Sequence, residues 1–283
     1  MKRLLVCGVL PEDAGKTTFA AALLYEASRR GLKACPFKPL SGHSYWWQYD
    51  SFKYCLSRGR LVCEDIVRLS EVCSVDLPLE ALNPVDLLLA PPSRLARLLA
   101  SPSVQSYEWL AIGRFTACLD GSLSHLVFYN EANLNEELRR LLDALAAGEV
   151  LPVRSFKEFL DLHQVHYHGS VESCFRLVER GGFDLAVIEG FNDAVYPWRG
   201  VDDVDLVVAV APGLALIYDA SAFLEAVKRR PDPYTAIFSD VAHAAAPKAK
   251  LKLPPLPRAT LTDPSRVAEG YREALEAVLE AVV

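Results

Sequence analysis

The sequence lacks the features that mark membrane, secreted and nucleic-acid-binding proteins. No apolar run approaches the roughly 18 residues of a membrane span, and the apolar stretch at the N-terminus is too short for the core of a signal peptide. Lys and Arg number 30 against 36 Asp and Glu, and the net charge of −6 disfavours a polyanion or an anionic membrane as partner. We therefore expect a cytoplasmic protein that binds neither nucleic acid nor a membrane.

Thermolabile residues and paired cysteines are also scarce. One Met, five Asn and three Gln indicate a thermophilic source. The seven cysteines are odd in number and include no Cys-x-x-Cys pair, which favours buried, reduced thiols over a disulfide framework or a zinc site. Apolar residues, in contrast, make up 51% of the 283 positions, which is enough for a large core.

Strands and helices alternate at both ends of the chain. A buried strand over 2–7, a helix over 17–30 and a second strand over 32–37 form a βαβ pattern within about 40 residues. Apolar runs over 183–188 and 205–210 predict further buried strands. We therefore expect a doubly wound, mostly parallel sheet with helices on both faces.

The middle of the sequence is less regular. We expect one domain over 1–283 that carries an insertion or cap at about 60–180. Asp120-Gly121 between two β-rich runs predicts a hairpin. The remaining predictions are helices over 64–72, 135–147, 155–163, 171–180 and 220–230, a strand over 235–238 and a terminal helix over 264–283.

The strongest functional motif is Gly8-Val-Leu-Pro-Glu-Asp-Ala-Gly15-Lys16-Thr17-Thr18, which lies at the junction between the first predicted strand and the helix that follows it. A phosphate loop needs backbone N–H groups aimed at oxygens, a Lys for the outer phosphates and a hydroxyl for Mg²⁺. Six residues separate the glycines here, where the standard pattern has four. The predicted nucleotide contacts are Asp13, Ala14, Gly15, Lys16, Thr17 and Thr18; a chance Gly-Lys-Thr in an ordinary turn is the alternative.

Three blocks together resemble dethiobiotin synthetase and its relatives. The first is Lys2-Arg-Leu-Leu-Val-Cys-Gly followed by Gly15-Lys-Thr-Thr, with a loop one residue longer than in that family. The second is Lys38-Pro-Leu-Ser-Gly42, and the third is Asp184-Leu-Ala-Val-Ile-Glu-Gly190. The chain departs from the family at Phe191-Asn192-Asp193, where small residues are usual.

The resemblance covers about 60 residues and implies a P-loop NTPase of the class shared with cobyrinate amidases and partition-type ATPases. The combination also looks like an archaeal group known as predicted P-loop ATPases or GTPases. The class implies a bound nucleotide with Mg²⁺, a small-molecule substrate and a homodimer.

Site roles follow from the position of each residue at the rim of the sheet. Ligands bind at the carboxyl ends of strands in open α/β sheets, where Glu189 and Lys38 stand. We expect Lys16, Lys38 and Glu189 to be catalytic, with Lys38 near the transferred phosphoryl group. The expected Mg²⁺ ligands are Thr17, Glu189 and Asp50, and the expected substrate contacts are Ser41 and Asn192. A loop acid at Glu189 and a surface lysine at Lys38 are the alternatives.

Two further patterns lie outside this set. Aromatic side chains are concentrated in residues 43–49. They either stack on a flat substrate or pack under the insertion. His163, His166 and His168 invite a metal interpretation, but no Cys or acid completes the set.

The function that these residues favour is phosphoryl transfer from ATP·Mg²⁺ to a small molecule, in a kinase-like or ligase-like reaction. The alternatives are a regulatory or assembly ATPase/GTPase that switches a protein partner, and a nucleotide-binding module that accompanies another enzyme. Because no Asn-Lys-x-Asp guanine-reading set is present, ATP is favoured over GTP.

Overall fold

The computed structural model describes residues 1–92, 107–145 and 148–283, and these form an α/β structure with two mixed sheets. The chain divides into two compact units. The first unit is Met1–Pro39, Asp65–Asp76 and Val178–Val283, and the second is Leu40–Glu64 and Leu77–Leu177. The second unit thus starts earlier than the insertion expected at about 60–180, and residues 65–76 interrupt it.

Strands and helices are numbered in chain order along the described residues. The strands are β1 (Lys2–Gly8), β2 (Ala34–Phe37), β3 (Leu40–Ser44), β4 (Val85–Leu89), β5 (Leu110–Leu119), β6 (Ser122–Asn130), β7 (Glu149–Val153), β8 (Leu185–Glu189), β9 (Leu206–Ala211), β10 (Leu214–Asp219) and β11 (Ala249–Lys252). The helices are α1 (Lys16–Arg29), α2 (Tyr49–Arg58), α3 (Glu64–Val72), α4 (Leu79–Leu82), α5 (Glu136–Leu145), α6 (Phe156–Arg180), α7 (Ala220–Lys228), α8 (Phe238–Val241), α9 (Pro264–Gly270) and α10 (Arg272–Val282). No helix of the described residues is both long and apolar enough to cross a membrane.

The sheet of the first unit has the order β2-β8-β1-β9-β10-β11. Strands β2, β8, β1 and β9 run parallel, and β10 and β11 continue the sheet antiparallel. Leu4 and Leu5 point to opposite faces and are both fully buried, so β1 is covered on both sides. This burial is why the strands appear as continuous apolar runs, and the four predicted at β1, β2, β8 and β9 are confirmed.

The sheet of the second unit has the order β3-β4-β5-β6-β7. The β3–β4 and β6–β7 pairs are parallel, whereas β4–β5 and β5–β6 are antiparallel. The predicted hairpin is confirmed between β5 and β6. Both turn residues have positive φ, 51° at Asp120 and 84° at Gly121, as a type I′ turn requires.

Three predicted elements differ from the structure. The two helices expected over 155–163 and 171–180 are one continuous helix, α6, because Gly169 is tolerated in its interior. The expected terminal helix is divided at Tyr271 into α9 and α10. The strand expected over 235–238 is wrong: Asp232 caps a 3-10 turn at Pro233–Thr235, and the short helix α8 follows.

A row of buried polar side chains crosses the sheet of the second unit. Ser41, Asp86 and Arg114 are neighbours in register on β3, β4 and β5. The Ser41 hydroxyl donates to Asp86 Oδ1 at 2.6 Å, and His43 Nδ1 lies 3.2 Å from the same oxygen. The Arg114 guanidinium donates to the Leu61 carbonyl at 2.8 Å. Because buried charges are costly unless paired, this row disfavours any other register of the three strands.

The charge of His43 makes the second unit sensitive to pH. Burial alone would lower the pKa of His43, but the charge and hydrogen bond of Asp86 raise it to about 10. The ordinary value is about 6.5, so the stabilisation from charged His43 is complete below pH 6.5 and is lost as the pH rises toward 10.

We therefore expect amide hydrogen-exchange protection in β3–β5, corrected for intrinsic rates, to fall between pH 6.5 and 10. His43→Gln should flatten this dependence. His163→Gln is the matched control, because burial lowers the pKa of His163 to about 4 and keeps it neutral throughout this range. Protection of the unsubstituted protein that stays constant over this range would contradict the assignment.

Candidate functional site

The Gly8–Gly15 loop connects the carboxyl end of β1 to the start of α1. Its first amide, at Val9, donates to the Val210 carbonyl of β9 at 2.9 Å. Gly15 directly precedes the helix and has a φ of 85°, a backbone conformation that residues with side chains rarely adopt. The Gly15 carbonyl then accepts the Phe19 amide at 3.0 Å, the first hydrogen bond of α1. The loop therefore leads straight into the amino end of a helix, where unpaired N–H groups favour an anion.

Gly8 is required because three groups crowd its α-carbon. A β-carbon at this position would lie 2.7 Å from the Leu10 carbonyl oxygen, 2.8 Å from the Asn192 carbonyl oxygen and 3.1 Å from Lys16 Nζ. The Lys16 ammonium is thus held above the end of β1, between the loop and the turn that follows β8. Asn192 belongs to that turn, at φ 48°.

Four side chains converge where β1, β2 and β8 end side by side. The Thr17 hydroxyl donates to Glu189 Oε1 at 2.9 Å. Lys38 Nζ donates to the same oxygen at 2.5 Å and to Asp65 Oδ2 at 2.6 Å. Glu189 ends β8, Lys38 follows β2, and Asp65 stands in the first turn of α3. All four residues belong to the first unit.

Burial and the charges of neighbouring side chains shift the pKa values of Lys16 and Asp65 in this cluster. Burial lowers the pKa of Lys16, as does Lys38, while Glu189 and Asp65 act in the opposite direction. Burial alone would raise the pKa of Asp65, but the charge of Lys38 and the hydrogen bonds from Lys38 and Thr17 hold it below its ordinary value. Asp65 is therefore an anion at neutral pH.

The cluster fits a magnesium ion. Glu189 is fully buried, and its second oxygen, Oε2, has no hydrogen-bond partner. Such an orphaned carboxylate oxygen beside the Thr17 hydroxyl and the Asp65 carboxylate supplies the hard oxygen ligands that Mg²⁺ prefers. Over residues 1–92, 107–145 and 148–283, no group of three or more His, Cys, Asp or Glu is arranged to hold a metal. Mg²⁺ needs only one or two carboxylates when a phosphate completes its shell.

Asp65 is the site residue that the sequence analysis missed. The available signal was its position at the start of the helix predicted over 64–72, on the chain that follows Lys38. The carboxylate predicted from the sequence was Asp50. Asp50 is exposed in the first turn of α2, in the second unit. Its role as a Mg²⁺ ligand remains a prediction.

The other predicted site residues are placed as follows. Ser41 lies in the second unit, where its hydroxyl is already bonded to Asp86. Asn192 is half-buried in the turn after β8, close to Gly8. In the loop, Asp13 is exposed at φ 51° and Ala14 is buried, while Thr18 is half-buried in the first turn of α1.

The histidines of α6 are placed by aromatic packing. The His163 ring stacks on Tyr167 with centroids 4.5 Å apart, and the His166 ring lies 5.7 Å from Phe115. These contacts give both rings a role in the core of the second unit.

Neither a scan against known protein families nor a search of curated protein sequences finds a match to this chain.

Adding a methyl group at Gly8 tests the close approach at the end of β1. We expect Gly8→Ala to lower the free energy of unfolding by about 1–3 kcal/mol, because the new atom forces two backbone carbonyls to move. Urea denaturation measures the change. Gly169→Ala is the matched control, since it meets no atom within 4 Å and improves helix propensity. A Gly8→Ala protein as stable as its parent would show that the loop and the β8 turn are not in contact.

Proposed function

We propose that the chain binds ATP with Mg²⁺ at the carboxyl ends of β1 and β8 and transfers the γ-phosphoryl group to a small molecule. The observation that carries the proposal is the convergence of Thr17, Lys38, Asp65 and Glu189, in which Glu189 Oε2 has no hydrogen-bond partner. The charge of Lys16 interacts with this cluster. A loop that leads into a helix N-terminus beside one buried and one half-buried carboxylate is suited to a triphosphate and a divalent cation.

The fold of the first unit supports a P-loop NTPase of the dethiobiotin synthetase class. The loop joins β1 to α1, and the acidic residue Glu189 ends the strand directly beside β1. Parallel strands bring their carboxyl ends to one edge, which is where phosphate and Mg²⁺ must meet.

Lys16 and the amides at the start of α1 would bind the β- and γ-phosphates. The Lys16 ammonium lies beside the loop, and its half-buried position strengthens its attraction for an anion. Thr17, Asp65 and Glu189 would hold Mg²⁺, which neutralises phosphate charge when bound. Glu189 is suited to this task because its burial leaves no water to compete for Oε2.

Lys38 would stabilise the negative charge that develops between the γ-phosphate and the acceptor. Its ammonium is 4% exposed and is fixed by two carboxylates, so it needs little reorganisation during the reaction. Asp65 and Glu189 act here as positioning residues for Lys38. Catalysis would then rest on orientation and electrostatics, as is usual for phosphoryl transfer.

Removing the Lys16 ammonium tests nucleotide binding. We expect Lys16→Ala to weaken Mg²⁺-dependent ATP binding by about 10- to 150-fold, the value of one hydrogen bond to a charged group. Titration calorimetry with ATP and GTP measures the loss and identifies the base. Lys33→Ala, which removes an exposed lysine from the same unit, should bind as the parent does. Unchanged affinity in Lys16→Ala would refute the phosphate-binding role of the loop.

Removing the Lys38 charge separates a transferase from a switch. We expect Lys38→Met to retain ATP affinity within a few-fold but to lose roughly 10²–10³ in substrate-stimulated turnover. Lys38→Arg should restore little, because a planar fork does not replace a compact ammonium between two carboxylates. Circular dichroism checks that both variants fold.

The acceptor for this assay comes from a screen of small carboxylic acids and amines for stimulation of ATP hydrolysis. If no small molecule stimulates the unsubstituted protein and Lys38→Met hydrolyses ATP at the same basal rate, the regulatory ATPase/GTPase becomes the better description.

A further inference from the structure

The first unit contains a cavity apart from the site at the end of β1. Its volume is about 550 Å³, which is within the range of small-molecule sites. The lining comes from α1, from α3 and from the junction between α9 and the loop before it: Ala21, Tyr25, Arg68, Glu71, Val72 and residues 262–265. All of these residues belong to the first unit, and none of them takes part in the proposed phosphoryl transfer.

The cavity is separate from the nucleotide site, although α1 and α3 contribute to both. Ala21 and Tyr25 follow Thr17 by about one and two turns of α1, or roughly 6 and 12 Å along the helix. Arg68 follows Asp65 by about one turn of α3. A molecule in the cavity would thus lie beside the middle of α1, whereas the phosphates are proposed at the amino end of that helix.

Arg68 supplies a positive charge to the cavity. The residue is half-buried, and its Nη2 donates to the Leu261 carbonyl at 3.2 Å. Within the described residues, the guanidinium makes no other hydrogen bond and no ion pair. The charge of Arg68 helps to lower the pKa of Asp65, but the Asp65 carboxylate is bonded to Lys38. The remaining N–H groups of the guanidinium are therefore available to a carboxylate.

The two carboxylates of the lining differ in how far they are already paired. Asp263 Oδ1 accepts the Ser265 amide at 3.0 Å and the Ser265 hydroxyl at 2.6 Å, and Arg266 Nε lies 3.4 Å from Oδ2. The Glu71 carboxylate makes no hydrogen bond or ion pair with the part of the chain that the structure describes. Residues three apart on a helix are neighbours, yet Arg68 and Glu71 do not pair with each other. The cavity thus has an available cation and an available anion side by side.

The remainder of the lining is mostly apolar. Ala21 is buried, and Tyr25, Val72 and Pro264 are half-buried. A ligand that carried only a carboxylate would be repelled by Glu71, and one that carried only an amine would be repelled by Arg68. Both charges are matched by a ligand that carries a carboxylate and an ammonium on adjacent atoms.

We propose that this cavity binds an α-amino acid with an apolar side chain. The carboxylate of the ligand pairs with Arg68, and its ammonium group pairs with Glu71. The side chain of the ligand contacts Tyr25, Val72 and Pro264. The site is distinct from the proposed ATP site, so the two proposals stand or fall separately.

Ligand-observed NMR without nucleotide or Mg²⁺ tests the proposal with matched probes. L-Leucine and L-phenylalanine are the amino acids, L-leucinamide lacks the carboxylate, and N-acetyl-L-leucine lacks the ammonium group. We expect saturable binding of at least one amino acid, and several-fold weaker binding of both blocked forms of leucine. Binding of neither amino acid would overturn the proposal. A blocked form that binds as tightly as L-leucine would also overturn it, because one of the two charges would then be unused.

Variants locate the site and separate the two charges. Arg68→Met should weaken L-leucine binding about 10-fold, the value of one hydrogen bond to a charged group, but should not weaken L-leucinamide binding. Glu71→Gln should weaken L-leucine binding about 2- to 5-fold, as for an exposed ion pair, but should not weaken N-acetyl-L-leucine binding. Arg229→Met removes an exposed arginine of the same unit and should bind as the parent does.

Circular dichroism checks that the variants fold. Glu71 is exposed, so Glu71→Gln keeps the test valid even if Arg68→Met is unstable. L-Leucine binding that survives both substitutions unchanged, or a loss in which the blocked probes weaken equally, would overturn the assignment to this cavity.

Discussion

The first unit depends on how one fully buried carboxylate, that of Glu189, is stabilised. Removing such a charge from water costs several kcal/mol unless cations and donors compensate for it. Lys38 and Thr17 supply that compensation at Oε1, and they come from two separate connections of the sheet, after β2 and at the start of α1. The requirement to satisfy Glu189 therefore fixes how β1, β2 and β8 end relative to one another. The other oxygen of the carboxylate, Oε2, has no hydrogen-bond partner, which is the basis for the cation site proposed at this edge.

In the second unit, a buried carboxylate is stabilised by cationic side chains on neighbouring strands. Asp86 is also fully buried, but its neighbours across the sheet are His43 and Arg114, so two positive charges face one negative charge. Both the first and second units therefore contain buried ionic clusters, and the cluster of the first unit lies beside a glycine-flanked loop. Ser41, expected from the sequence to contact substrate, belongs to the ionic cluster of the second unit.

The local parts of the fold were predictable because they are encoded in contiguous residues. Apolar runs predicted β1, β8 and β9, and the Asp120-Gly121 turn predicted its hairpin, since each rests on burial or on backbone conformation. The structure brings Thr17, Lys38 and Glu189 together from three contiguous motifs, while their chemical roles and that of Lys16 stay predictions. Asp65 was not predicted, because its contact with Lys38 arises from tertiary packing between residues 27 positions apart. The sequence marks the unit boundaries at Pro39 and Asp65 with no turn or linker signal other than a single proline. The helix α6 continues through Gly169 because the packing around the helix outweighs the low helix propensity of glycine.

The strand order of the first unit has a consequence for synthesis of the protein. β1 is made before both of its neighbours, since β8 and β9 begin only at Leu185 and Leu206. At about 5–20 residues per second, a ribosome leaves this apolar strand without either partner for roughly 10–40 seconds. During that interval the nascent chain exposes a segment with high β-propensity and two open edges, which is the kind of segment that chaperones bind. The arrangement that places β1 between β8 and β9 in the finished protein therefore also makes β1 wait for both of its partners during synthesis.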